Sequence, residues 1–344
     1  MNRYALLILP STNRVYAGSS LALTQAELEV FNRAVLGGRL GDIGTDDIGG
    51  VPYVLFSAED LTDRDADFLA NLSSIYALFQ VDGGLLRPIG LRPLDRYDDD
   101  LITIQKYAGK TNEQFTKLLL NVTLLGSAFA PHMLDRQLRV VDPLCGRGTT
   151  LNQAMMYGFD VAGIDIDQKD FEAYAVFIQR WLKDKRIKHK AEYGPVRRER
   201  QVVARRLRVE FAATKDAYKA GETQQIDVVN VDTIRAGEFY RAGTFDLAVA
   251  DLPYGVQHGS RTAGRGLARG PLDLLGEAVP GWAALLRSGG ALGISWNTFV
   301  ASRDKAADVL AGAGLEVLDA APYLALQHRV DQAILRDVLV ARKP

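Results

Sequence analysis

The chain has 344 residues and a formal net charge of −1, with 47% hydrophobic and 24% charged residues. This composition is typical of soluble globular proteins and excludes disordered and collagen-like chains, and the length predicts two domains. The single cysteine, Cys145, excludes a disulfide framework. The apolar stretch near the start is shorter than the roughly 20 residues of a membrane helix, so we expect a cytoplasmic protein.

The first hundred residues predict a small α+β domain. Strands are expected at residues 3–10, 39–48, 51–57 and 74–81, and helices at 24–35 and 60–72. This β-α-β-β-α-β order is that of a ferredoxin-like unit. A polar stretch at 92–100 follows, which predicts a domain boundary between residues 97 and 98.

The remainder, residues 98–344, predicts a Rossmann-like α/β domain. Thr111 has the position of a helix N-cap, with Gln114 three residues later. Strands are then expected at 139–141, 160–164, 227–231, 245–250, 291–296 and 334–341. Helices are expected at 150–157, 169–183, 272–286 and 304–313. Such alternation favours a largely parallel sheet covered on both faces.

A basic, β-rich insertion at about residues 187–225 interrupts this alternation. Residues 180–208 contain twelve Lys or Arg and three acids, a local charge of +9 inside a nearly neutral chain. Basic and apolar residues nearly alternate at 196–211, which predicts a two-stranded ribbon with one cationic face that contacts phosphates. A solvated charged surface is the alternative interpretation.

A glycine-containing turn at residues 140–151 is the strongest local signal. An apolar strand ends at Asp142, and Gly146 and Gly148 allow the backbone to approach a ligand before a helix begins. An ordinary strand–helix turn is the simpler reading. The dinucleotide fingerprint needs a third glycine where Leu151 stands, which disfavours NAD. The next strand ends at Asp165, which suits a ribose hydroxyl pair, so the spacing favours a nucleoside-bearing cofactor.

A second motif, Asp-Leu-Pro-Tyr-Gly, begins at Asp251 where a later strand ends. Alone it could be a simple turn. At the carboxyl end of a strand in the same sheet, it opens into the crevice where α/β enzymes bind ligands. The Asp251 carboxylate and the Pro253 carbonyl supply two acceptors for an exocyclic NH2 group, and Tyr254 offers a stacking face. This arrangement suits a nucleobase removed from its stack.

Together, the motifs DPLCGRGTT, GIDID and DLPYG resemble those of class I S-adenosylmethionine-dependent methyltransferases that act on amines. The chain is most similar to the tRNA guanine-N2 methyltransferases with an N-terminal ferredoxin-like or THUMP-containing region. Residues 106–115 are similar to the segment that closes over the methionine part of the cofactor. The first hundred residues are too short for a ferredoxin-like unit and a full THUMP domain.

The resemblance implies a cofactor site and a substrate site. Asp142, Cys145, Gly146 and Gly148 would line the methionine end of S-adenosylmethionine, Asp165 would hold its ribose, and Asp232 would meet its adenine amine. The full cofactor set is Asp142, Pro143, Cys145, Gly146, Gly148, Thr149, Asp165, Ile166, Asp232 and Thr233. The catalytic set is Asp251, Pro253 and Tyr254. The RNA-contacting set is Arg197, Arg198, Arg205, Arg206, His258, Arg261 and Arg265.

Some of these residues have a simpler interpretation. Cys145 is expected to be a small buried filler rather than a nucleophile, and Asp167 a helix cap rather than a ligand. Trp282 and Trp296 are expected in the core. No metal ion is expected to be required.

The sequence therefore predicts methylation of an exocyclic amine in RNA, with guanine N2 of tRNA as the preferred substrate. DNA adenine-N6 methylation uses the same chemistry and stays open. Two alternatives come from other classes: a nicotinamide-dependent oxidoreductase, and a non-catalytic RNA-binding protein that retains a cofactor pocket.

Overall fold

The computed structural model describes residues 1–11, 14–107, 109–253 and 270–344, without the side chains of Arg14 and Pro271. Its strands are β1 (Asn2–Ile8), β2 (Gly41–Ile48), β3 (Val51–Ala58), β4 (Ile75–Asp82), β5 (Leu85–Ile89), β6 (Arg139–Asp142), β7 (Asp160–Asp165), β8 (Lys188–Arg198), β9 (Gln201–Ala212), β10 (Gln224–Asn230), β11 (Phe245–Asp251), β12 (Leu286–Asn297), β13 (Glu316–Val317), β14 (His328–Arg329) and β15 (Leu335–Arg342).

The α-helices are α1 (Arg14–Ala34), α2 (Asp63–Leu69), α3 (Asp100–Thr103), α4 (Glu113–Gly126), α5 (Thr149–Met156), α6 (Gln168–Asp184), α7 (Lys215–Ala220), α8 (Pro271–Leu285), α9 (Arg303–Gly312) and α10 (Ala321–Leu324). Two 3-10 helices, Ala130–His132 and Thr233–Glu238, follow α4 and β10. None of the described helices is long and apolar enough to cross a membrane.

The N-terminal sheet has the strand order β2-β3-β1-β4-β5, and all its neighbours are antiparallel. The first four strands have the ferredoxin-like arrangement that the sequence predicts, and β5 is an addition at one edge. Helix α1 begins ten residues earlier than expected. Thr24, the expected first residue, lies inside the helix, where its hydroxyl donates a hydrogen bond to the Ser20 carbonyl at 2.7 Å.

The second sheet has the order β13-β15-β12-β11-β6-β7-β10-β9-β8. Strands β6, β7, β10, β11 and β12 are parallel to their neighbours among themselves, and β15 is antiparallel to both β12 and β13. The chain moves outward in one direction from β6 through β7 to β10, then returns to β11 on the other side of β6. The order therefore reverses between β6 and β11, which is where open α/β sheets bind ligands.

The basic insertion forms a ribbon of β8 and β9 that extends this sheet beyond β10. The prediction of a ribbon is confirmed, but the prediction of one cationic face is wrong. Arg206 and Arg208 lie on one face beside Asp227, whereas Arg205 lies on the opposite face near Glu172. Strand alternation separates Arg205 from Arg206, because consecutive side chains point to opposite faces.

The two sheets share a hydrophobic core and a buried polar network. Residues of both units, such as Phe31 and Leu118, belong to one cluster of buried side chains. The fully buried Glu27 carboxylate accepts hydrogen bonds from the Ser73 amide at 3.0 Å and from Asn121 Nδ2 of α4 at 2.7 Å. Burial raises the pKa of Glu27. The N-terminal unit is thus fixed directly against α4.

Candidate active site

Three carboxylates lie at the carboxyl ends of neighbouring strands, close to the place between β6 and β11 where the strand order reverses. Asp142 ends β6, Asp165 ends β7 and Asp251 ends β11. Burial, together with the charges of other acids nearby, raises the pKa of Asp142 to about 7 and that of Asp165 to about 6. Hydrogen bonds from main-chain amides partly offset this rise in pKa: Leu144 N donates to Asp142 Oδ1 at 3.0 Å, and Gly146 N donates to Asp165 Oδ2 at 2.7 Å.

The turn between β6 and α5 depends on its glycines. Gly146 and Gly148 have φ angles of +48° and +78°, which disfavour residues with a Cβ. A Cβ at Gly148 would lie 2.2 Å from the Tyr174 ring, whereas one at Gly146 would meet open space within 4 Å. The turn therefore keeps its backbone close to α6 while leaving room for a ligand beside Gly146.

Residues preceding α4 lie over this turn. Gln105 Nε2 donates to the Arg147 carbonyl at 3.3 Å, and the Tyr107 and Thr149 hydroxyls are 3.1 Å apart. The Arg147 guanidinium lies 4.7 Å from the centroid of the Tyr107 ring. The segment that was compared with a cofactor-closing helix is therefore in contact with the glycine turn, although α4 itself begins only at Glu113.

The chain just after β7 and β10 has apolar side chains beside polar ones. Ile166, just after β7, is 69% exposed, and Ile234, after the neighbouring β10, is 39% exposed. Asp232 caps the 3-10 helix by accepting from Ile234 N. Thr233 is buried, and its hydroxyl accepts a hydrogen bond from Trp282 Nε1 at 2.9 Å. Two exposed isoleucines beside an acid suit the faces and the amine of a purine ring.

The Asp-Leu-Pro-Tyr-Gly motif lies within the described residues as far as Pro253. Asp251 lies at the end of β11, and Leu252 N donates to the Ser295 carbonyl of β12 at 2.9 Å, which fixes the main chain there. Pro253 follows and is exposed. Tyr254, His258, Arg261 and Arg265 lie outside the described residues.

The simpler interpretations of Cys145 and Asp167 and the expected burial of the two tryptophans agree with the structure. Cys145 is buried, and burial raises the pKa of its thiol, which disfavours the thiolate that a nucleophile needs. Asp167 caps α6 by accepting from Lys169 N at 2.7 Å. Trp282 and Trp296 are both buried in the core. Among the described residues, no group of three or more His, Cys, Asp or Glu could hold a metal ion.

The predicted RNA-contacting arginines of the ribbon differ in how far they are already engaged. Arg206 makes two hydrogen bonds to Asp227, at 2.6 and 2.5 Å. Arg198 pairs with Glu238 at 2.8 Å, and Arg205 lies 3.6 Å from Glu172. Arg197 is exposed, and within the described parts of the chain it has no ion-pair partner. The structure thus leaves Arg197 more accessible to phosphate than Arg206.

Two residues that contact Asp251 were missed from the sequence. Thr111 was predicted to cap α4, but Asn112 is the N-cap and accepts from Phe115 N at 3.1 Å. The Thr111 hydroxyl instead donates to Asp251 Oδ2 at 2.5 Å, and the Ser295 hydroxyl donates to Asp251 Oδ1. Thr111 is 140 positions from Asp251, so no local pattern indicates this contact. Ser295 had a usable signal, because it lies near the carboxyl end of the strand predicted at 291–296, as Asp251 does at the end of the strand predicted at 245–250.

The donor and acceptor set fits S-adenosylmethionine. A buried carboxylate whose pKa is raised by burial, as at Asp142, gains a partner if an ammonium group lies beside it. The Asp165 carboxylate can accept from ribose hydroxyls, and Ile166 presents an apolar surface to adenine. The open space beside Gly146 admits a ligand that a larger residue there would exclude.

Comparisons with known proteins give one family match. Residues 132–291 match the family described as RMKL-like, methyltransferase domain. No curated protein sequence matches the chain significantly.

Several solved structures are similar in part. A TehB-like methyltransferase from Corynebacterium glutamicum is 17% identical, with 63% of this chain and 85% of that chain covered and a TM-score of 0.35. An rRNA methylase from Streptococcus thermophilus is 13% identical, with coverages of 62% and 90% and a TM-score of 0.33. A Burkholderia thailandensis 1,6-didemethyltoxoflavin-N1-methyltransferase with bound S-adenosylhomocysteine is 18% identical, with coverages of 63% and 76% and a TM-score of 0.37. At these scores the structures carry no argument about the substrate.

The family match begins before β6 and ends within β12, and it includes the glycine turn and all three carboxylates. It favours a methyltransferase over the nicotinamide-dependent alternative, which the missing third glycine already disfavoured. Residues 132–291 are therefore similar to a methyltransferase domain, and the reversal of strand order at β6 and β11, with acids at the carboxyl ends of both strands, fits a class I S-adenosylmethionine-dependent methyltransferase.

Proposed function

We propose that this enzyme methylates an exocyclic amine of a nucleobase in RNA, and that guanine N2 of tRNA in the cytoplasm is its substrate. The observation that carries the proposal is the Asp251-Leu252-Pro253 segment at the carboxyl end of β11, beside β6 and Asp142. Two acceptors in sequence at a ligand-binding crevice suit an NH2 group on a flipped base.

In this mechanism the protein mainly positions the target amine against the methyl group of the cofactor. S-adenosylmethionine supplies an electrophilic methyl group. The Asp251 carboxylate and the Pro253 carbonyl would accept hydrogen bonds from the amine, which favours a pyramidal nitrogen with its lone pair directed at the methyl group. The carboxylate would also stabilise the positive charge that develops on that nitrogen.

The tip of the β8–β9 ribbon, residues 197–204, supports a nucleic-acid substrate. The last residue of β10, Asn230, pairs with Arg205, so residues 201–204 of β9 extend past the carboxyl edge of the sheet by roughly 13 Å. Arg198 of the ribbon contacts Glu238 in the 3-10 helix that begins directly after Asp232. The exposed Arg197 and Arg200 therefore lie on the side of the cofactor pocket, where they would contact phosphates of a bound RNA.

The decisive experiment compares Asp251→Ala with the wild-type enzyme. Each protein is incubated with methyl-labelled S-adenosylmethionine and unmodified tRNA, other RNA or DNA, and the products are digested to nucleosides. The wild type should produce N2-methylguanosine in tRNA. Asp251→Ala should lose at least about a thousandfold in rate while its cofactor affinity, measured calorimetrically, changes by less than about threefold.

A matched control is Asp216→Ala, because the Asp216 side chain is 95% exposed on α7. This variant should behave as wild type. Label found in N6-methyladenine, or no label in any RNA, would refute the guanine assignment. Normal turnover of Asp251→Ala would refute the role of the motif.

A further inference from the structure

The Asp251 carboxylate is held from two sides by hydroxyl groups of different elements. Thr111, in the segment before α4, donates to one oxygen at 2.5 Å, and Ser295 of β12 donates to the other. Ser295 is fully buried and lies directly opposite Asp251 in the parallel pairing of β11 and β12. Each carboxylate oxygen has more than one acceptor site, so both can still accept a hydrogen bond from a substrate amine.

The Thr111 segment is in turn held by the N-terminal unit. Asn112 Nδ2 donates to the Ser11 hydroxyl at 3.1 Å, and Gln114 Nε2 donates to the Leu9 carbonyl at 2.9 Å. Residues Leu9 and Ser11 directly follow β1 of the ferredoxin-like sheet. The connection after β1 is therefore hydrogen-bonded to two residues that closely follow Thr111, the residue that contacts Asp251.

We propose that Thr111 and Ser295 are positioning residues that fix the Asp251 carboxylate in the orientation that accepts the target amine. The N-terminal unit takes part by holding the Thr111 segment in place. This inference rests on the proposed function of Asp251. It differs from a purely structural role, because loss of either hydroxyl should affect turnover far more than cofactor binding.

The first test separates turnover from binding. Thr111→Val keeps the shape of the side chain and removes the donor, and we expect kcat to fall about 10- to 100-fold, since misplacement by about 1 Å can cost that much. Ser295→Ala should have a similar effect. The dissociation constant for S-adenosylmethionine should stay within about twofold. Thr111→Ser retains the hydroxyl and should restore most of the loss.

A matched control is Thr123→Val in α4. Its hydroxyl donates to the Leu119 carbonyl at 2.7 Å within the same helix, and Thr123 lies twelve residues after Thr111. This variant also loses one threonine donor in the same part of the fold, and it should keep the wild-type kcat. Equal losses in Thr111→Val and Thr123→Val would overturn the proposal.

A second test does not depend on activity. The change in Tm caused by Thr111→Val is measured in the wild-type background and in the Asp251→Ala background. If the hydroxyl acts on Asp251, the Tm loss in the first background should exceed that in the second, because coupled residues are not additive. Additive Tm changes together with wild-type kcat in Thr111→Val would overturn the proposal. A wild-type enzyme inactive on every nucleic acid would refute the proposed function alone, and the Tm comparison would still decide the Asp251 contact.

Discussion

The turn after β6 and the β8–β9 ribbon both stand out in the sequence, and they treat charge in opposite ways. At the turn, the acids Asp142 and Asp165 are stabilised by main-chain amides, and burial raises the pKa of each. In the ribbon, cations such as Arg206 and Arg198 are already paired with acids. The comparison shows that available charge depends on partners rather than on composition.

Among the changes that test this comparison, the largest effect is expected at Asp142. Asp142→Asn should weaken S-adenosylmethionine binding by about 30- to 1,000-fold, because the ammonium group of the cofactor loses its charged partner in a buried site. Isothermal titration calorimetry measures this directly. The exposed Asp184→Asn in α6 is a suitable control and should bind the cofactor normally. Unchanged affinity in Asp142→Asn would show that the Asp142 carboxylate does not bind the ammonium group of the cofactor.

The same residue should also make stability depend on pH. Its folded-state pKa of about 7 lies above its ordinary value, so the folded protein binds the proton more tightly than the unfolded chain. The contribution of Asp142 to stability is therefore full below about pH 4 and is lost as the pH rises through about 7. The free energy of unfolding of the wild type should fall relative to Asp142→Asn over this range. Denaturation at several pH values measures the difference.

An intermediate effect is expected for the paired arginine of the ribbon. Arg206→Met should lower the free energy of unfolding by about 1–3 kcal/mol, because it leaves the Asp227 carboxylate without its bidentate partner. Arg208→Met is the matched change, since Arg208 is 56% exposed and 3.6 Å from the same acid. It should cost less than about 0.5 kcal/mol. Equal losses in chemical denaturation would contradict the distinction between them.

The smallest effect is expected at the ribbon tip. The double variant Arg197→Ala/Arg200→Ala should keep the wild-type stability and bind tRNA several-fold more weakly. The slope of log affinity against log salt concentration should fall by about one for each phosphate contact that is lost. Binding titrations across salt concentrations test this expectation. An unchanged slope would remove the ribbon tip from the proposed RNA surface.

The sequence predicts the parts of this fold in which short patterns act locally. Strand-end acids and glycines at Asp142, Gly146 and Asp165 predict their own positions, because the parallel sheet brings the carboxyl ends of its strands together. The pairing of Arg206 with Asp227 was missed, since it depends on the register of β9 against β10. The same holds for Thr111, whose hydroxyl could serve either as a cap or as a donor to a distant acid. Local propensity does not distinguish these two uses.

The Glu27 network has a consequence for how the protein unfolds. Its acceptor lies in α1 and its donors in two different parts of the chain, Ser73 in the N-terminal unit and Asn121 in α4. Cleavage between residues 97 and 98 followed by separation of the halves would leave Asn121 and Glu27 without each other and expose the apolar surface that Phe31 and Leu118 share. Heating should therefore melt both halves in one cooperative transition, and a truncated catalytic half should be a poor surrogate for the whole chain.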